Sequence, residues 1–217
     1  MEFLTGTIDL MNIILASVLV FFVFILISLH TYAATKEKSD KKLALKIIKW
    51  LDDGETGAKK IRKRKRLFTT NGIRVLEYVS LNIDEEKQKV LRDVLSSERF
   101  TKYFRDKLTF KNQSEALLTT KLIAEMKLEG FIPEILTNIK KWENSAEAQE
   151  VGLLALFLNG NKRALVELLS HKNFNLKVSF RTMQELIEIY NGDKADFFKE
   201  MLSRDCDTYI LRSCVQC

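Results

Sequence analysis

The segment Gly160-Asn161-Lys162-Arg163-Ala164-Leu165-Val166-Glu167-Leu168-Leu169 reads as a turn followed by one buried face of a short helix. Two other segments stack on it at their glycines: Gly130-Phe131-Ile132-Pro133-Glu134-Ile135-Leu136, thirty residues earlier, and Gly192-Asp193-Lys194-Ala195-Asp196-Phe197-Phe198, thirty-two residues later. The fifth, sixth and ninth positions after each glycine are apolar: Ile135, Leu136 and Ile139; Leu165, Val166 and Leu169; Phe197, Phe198 and Met201. That spacing puts the three side chains of each copy on one helical face. Asn161 and Asp193 can cap the helices they precede. Pro133 suits a first helical position, where the missing N–H costs nothing.

Working outward, a second helix precedes each glycine, over roughly 115–128, 146–158 and 177–190. Asn144 followed by Glu147 gives the middle one a capping-box start. Carried backward, the period places a helix near residue 85, where Asp84 opens a run with Val90, Leu91, Val94 and Leu95 apolar. Ser97 then caps 98–108, with Phe100, Tyr103, Phe104 and Leu108 on one side. Carried forward, it expects Asp207 to cap Thr208-Tyr209-Ile210-Leu211. Paired helices at constant spacing form an α-solenoid, because each pair exposes an apolar face that only its neighbour can cover. One proline and eight glycines in 217 residues leave too few turns for an all-β fold, so the expected class is all-α.

The run from Val151 to Met201 carries a family resemblance, chiefly in Gly160-Asn161-Lys162-Arg163-Ala164-Leu165 and then Leu176-Lys177-Val178-Ser179-Phe180-Arg181. It resembles the short HEAT-like repeats of bilin-lyase proteins, with their Gly-Asp-Pro-Arg-Ala turn and a Val-Arg opening the next pair. The match covers roughly 110–205 and is degenerate. Asp stands only in the third copy, Pro only in the first, and Arg181 is displaced. The resemblance implies a HEAT-like stack of about four helix pairs, and a fold of this kind does not fix a function.

Upstream the character changes. From Leu10 to Thr35 there are twenty-six residues without Asp, Glu, Lys or Arg, centred on Ile13–Leu29, IILASVLVFFVFILISL. As a helix this run spans about 39 Å, enough to cross a hydrocarbon core of roughly 30 Å with tilt. Ser17 and Ser28 can bond back to their own helix, and His30 and Tyr32 stand where amphipathic rings favour headgroups. A cleaved signal peptide fits poorly. It wants a positive start and a short apolar run, whereas this one starts with Glu2, runs long and offers only Thr31-Tyr32-Ala33 for cleavage.

The formal charge of +6 is unevenly placed: −2 over residues 1–35, +8 over 36–66 and zero over 67–217. Lys36, Lys38, Lys41, Lys42, Lys46 and Lys49 flank the C-terminal end of the apolar run, and no cation flanks the other. The positive-inside rule then predicts a single-pass protein of the cell membrane. Residues 1–9 form a short outside tail, 10–35 a transmembrane helix, 36–68 a basic juxtamembrane region and 69–217 a cytoplasmic HEAT-like repeat domain.

Within the juxtamembrane region, Lys41–Asp53 reads as an amphipathic helix with Leu43, Ile47 and Leu51 in one stripe and Ile48 and Trp50 beside it. Asp-Asp-Gly-Glu-Thr-Gly at 52–57 ends it as a turn, lacking the alternating oxygen ligands of a calcium loop. Then come seven cations in eight residues: Lys59, Lys60, Arg62, Lys63, Arg64, Lys65 and Arg66. Beside an inward-facing anchor, these are expected to contact anionic lipid or an acidic partner.

Catalytic signals are sparse. His171 is the only histidine outside the apolar run, and it follows a helix end. No phosphate-cradling glycine loop, nucleophile elbow or metal-ligand spacing occurs. Cys206, Cys214 and Cys217 are odd in number and crowded at one end, which is no disulfide framework, and Cys214-Val215-Gln216-Cys217 lacks a second pair for zinc. The expectation is a membrane-anchored scaffold without metal, cofactor or identified small-molecule substrate, binding a protein partner through its repeats. Two alternatives remain: a nucleic-acid-binding HEAT-like protein, disfavoured by the neutral repeat region, and an enzyme of the bilin-lyase-like class.

Overall fold

A computed structural model describes residues 2–109, 112–171, 175–204 and 212, with side chains from Val18 onward. The described residues form eleven α-helices and one short 3-10 helix, with no strand. By compactness the chain divides into residues 1–43 and 44–217. Helix α1 (Glu2–Asp52) begins in the first unit and ends in the second.

In the first unit the apolar run is helical throughout, and Leu19, Val20, Phe21, Phe22, Phe24, Leu26, Ile27 and Leu29 are all exposed. A helix over this stretch satisfies its own backbone, and two threonine hydroxyls bond back to it. Thr31 donates to the carbonyls of Ile27 and Ser28 at 3.0 Å each, and Thr35 donates to that of Thr31 at 2.8 Å. The Ser17 side chain, expected to bond back in the same way, lies outside those described.

The second unit starts inside the basic stretch rather than after it. Ala44, Ile47 and Leu51 are buried, so the end of α1 belongs to the core. The turn at 52–57 is tighter than its six-residue motif suggests. α1 stops at Asp52, Gly54 takes a left-handed φ of 58°, and α2 (Gly54–Lys63) starts at once. Gly57 lies so close to α1 that a Cβ there would sit 1.6 Å from the Trp50 carbonyl oxygen.

Beyond the 3-10 turn Lys65–Leu67 come α3 (Thr70–Leu81), α4 (Glu85–Leu95), α5 (Glu98–Thr109), α6 (Gln113–Glu125), α7 (Ile132–Lys141), α8 (Ala146–Leu158), α9 (Lys162–Leu169), α10 (Phe180–Glu188) and α11 (Lys194–Leu202). Contacts run α3–α6–α8–α10 along one row and α5–α7–α9–α11 along another. Of the nine expected apolar positions of the second row, Ile135, Ile139, Leu165, Val166, Leu169, Phe197 and Met201 are buried, while Leu136 and Phe198 are half-buried. Phe68, just past the 3-10 turn, stacks on Phe100 of α5 at 4.6 Å, and Phe157 of α8 links the rows by meeting Phe197 of α11 edge-on, with Tyr190 edge-on to Phe157 as well.

Three sequence expectations shift in register. The first-row helices begin after side-chain caps at Asn112, Ser145 and Ser179, thirty-three and thirty-four residues apart. Ser145, not Asn144, caps the middle one, accepting from the Ala148 N–H at 3.2 Å. α6 is closed by Lys127 at φ 48° with the Leu128 N–H on the Ile123 carbonyl. α8 is closed in the same way by Gly160 at φ 61° with the Asn161 N–H on Leu156. This left-handed closure makes Lys127, not Gly130, the counterpart of Gly160. Finally, α4 lies where the backward period places a helix, yet α3 is the helix that takes the row position beside α6, while α4 packs on α2 and α5. The cap expected at Asp207 lies outside the described residues.

Candidate anion-facing corner at residues 59–66

The seven clustered cations do not form one uniform charged surface. Ile61 and Leu67 are fully buried and anchor the run at two points. Between them the backbone leaves α2, becomes extended at Arg64 (φ −75°, ψ 99°) and tightens into the 3-10 turn. Lys59 pairs with Glu55 at 3.0 Å and Lys60 with Asp53 at 3.0 Å. Arg62 and Arg66 are half-buried. Lys63, Arg64 and Lys65 are exposed at the corner. The acidic turn is neutralised from within: Asp52 takes Lys87 of α4 at 2.9 Å, alongside the two pairs just named. These carboxylates therefore serve the α1–α2 junction.

Two cations remote in sequence join the corner. Arg99, in the first turn of α5, donates from Nη1 to the Arg62 carbonyl at 3.1 Å, and its guanidinium lies 4.2 Å over the Phe68 ring. Lys102 is exposed one turn further along α5. Thirty-seven residues separate Arg99 from Arg62, and no pattern in the sequence links them. Five exposed cations, Lys63, Arg64 and Lys65 from the end of α2 into the 3-10 turn and Arg99 and Lys102 on α5, suit polyanionic surfaces better than a single small anion.

The other candidates fall away from each other. His171 is exposed just beyond α9, where its backbone N–H closes on the Leu168 carbonyl at 3.3 Å. Cys206, Cys214 and Cys217 lie outside the described residues. Among the described residues no three His, Cys, Asp or Glu side chains converge as metal ligands. Compared with protein families, curated proteins and solved structures, the chain has no significant match in any of the three.

Proposed function

We propose that the protein is a single-pass membrane-anchored adaptor, with residues 1–9 outside and 36–217 in the cytoplasm. The two helix rows serve as a short HEAT-like solenoid offering a surface to a protein partner. The corner at Lys63, Arg64 and Lys65, with Arg99 and Lys102, meets the anionic inner leaflet. The observation that carries the reading is the exposed apolar flank of α1, a window long and apolar enough to cross a membrane with none of it buried. In water such a surface would be a severe aggregation liability, whereas in lipid it is the solvated state.

The lipid part is testable on the full chain in nanodiscs. Hydrogen exchange at residues 59–66 is expected to slow in discs containing phosphatidylserine relative to phosphatidylcholine alone. The triple variant Lys63→Gln/Arg64→Gln/Lys65→Gln is expected to lose that difference, since each nearby cation contributes about 1 kcal/mol at an anionic surface. Identical exchange in both discs contradicts the assignment.

A further inference from the structure

We infer that the exposed face of α6 and α8 is a docking groove for a cationic amphipathic helix of the partner protein. The inference rests on the adaptor reading for there being a partner, and it names where and by what chemistry the partner is held. The net neutrality of residues 67–217 conceals two rows of opposite sign. α3, α6, α8 and α10 hold three cations against seven carboxylates. α5, α7, α9 and α11 hold ten cations against six.

On the acidic row, Arg74, Glu77, Leu118, Lys121, Glu147 and Val151 share one open cavity of about 240 Å³ across α3, α6 and α8. Lys121 is already committed to Glu77 at 2.6 Å and Glu125 at 4.0 Å, which leaves Arg74 on α3 as the cavity's other cation, against Glu147 on α8. α8 carries no cation at all; Glu147 and Glu150 are exposed on it, and Val151, Leu154 and Leu158 form a half-buried apolar strip beside them. A thirteen-residue helix is about 20 Å long, room for three to four turns of a docked helix. Apolar residues of such a helix cover Leu118, Val151 and Leu154, while its lysines or arginines meet Glu147 and Glu150.

Two closer sources of an occupant do not fit. The chain's own residues 205–217 carry Asp205 and Asp207 against Arg212, the wrong sign. A second copy's Lys59–Arg66 is cationic, but its Ile61 is buried in its own fold, so it has no apolar face to offer.

The test uses the full chain in phosphatidylcholine discs and a fluorescent Leu/Lys amphipathic peptide with a photoreactive leucine; a Leu/Glu peptide and empty discs are controls. Cross-links are expected within 113–125 and 146–158. Affinity is expected to fall about fivefold or more in Glu147→Gln/Glu150→Gln, with no change in Asp106→Asn/Glu167→Gln, which removes two exposed carboxylates from the second row. Glu147 and Glu150 are both exposed, so the fold should hold, and a matching thermal melt checks it. Equal cross-linking of the Leu/Glu peptide within 113–125 and 146–158, cross-links confined to the second row, cross-links between copies, or unchanged affinity in the glutamine variant each overturn the inference. None of those outcomes touches the anchor or the lipid corner, which the exchange experiment tests separately.

Discussion

Gln149 is a polar residue at zero exposure on α8, and every hydrogen-bonding group of its amide is used. Its nitrogen donates to the carbonyls of Glu143 at 2.7 Å and Asn175 at 2.8 Å, and its oxygen accepts from the Lys177 N–H at 2.6 Å. It therefore fastens the segment before α10 to α8, its neighbour in the first row. Gln149→Leu strands three backbone groups, and urea unfolding is expected to show a loss of about 2 kcal/mol or more. Glu125 works in the opposite sense. Burial, with the charge of Glu77 added, raises its carboxyl above the ordinary value, against the pull of Lys121. A raised carboxyl means that the folded state holds the proton more tightly, so ionisation above the folded pKa costs stability. Glu125→Gln is expected to raise the melting temperature at pH 7–8 and to leave it unchanged near pH 4; a loss at neutral pH would contradict this.

At the scale of elements, the two left-handed helix closures predict opposite responses. A Cβ at Gly160 would lie 2.3 Å from the Asn191 carbonyl oxygen, and φ is positive there, so Gly160→Ala is expected to cost more than about 1 kcal/mol. Lys127 is exposed and already bears the strain of φ 48°, so Lys127→Gly is expected to be neutral or to gain up to about 1 kcal/mol. Denaturation midpoints of the two variants check the pair of signs. The same turns show what the sequence can and cannot carry. Helical periodicity and the caps at Asp84, Asn161 and Asp193 are local, and they are legible. The register of the first row is not, because Lys127 fills a position that sequence reading reserves for glycine while Gly130 stands three residues away in a longer loop. Nor is the substitution of α3 for α4 in the row, which depends on which helix covers α6, a choice made by packing rather than spacing. Likewise Ile61 and Leu67 split a cation run whose composition looks uniform, and Arg99 reaches the corner only through the fold.

For the whole molecule, charge and hydropathy sort residues by surroundings. The apolar flank of α1 is exposed, five cations gather at one corner of the second unit, and the charge-balanced helices that follow resolve into an acidic and a basic row. An anchored adaptor accounts for all three. The most direct test is labelling of intact cells with a membrane-impermeant maleimide. The native Cys206, Cys214 and Cys217 report on the C-terminal side, and Thr5→Cys in a background free of them reports on the N-terminal side. The account predicts that position 5 labels in intact cells and that the native cysteines label only after permeabilisation. Labelling of the native cysteines in intact cells, or full release of the protein from membranes by alkaline carbonate, would contradict it.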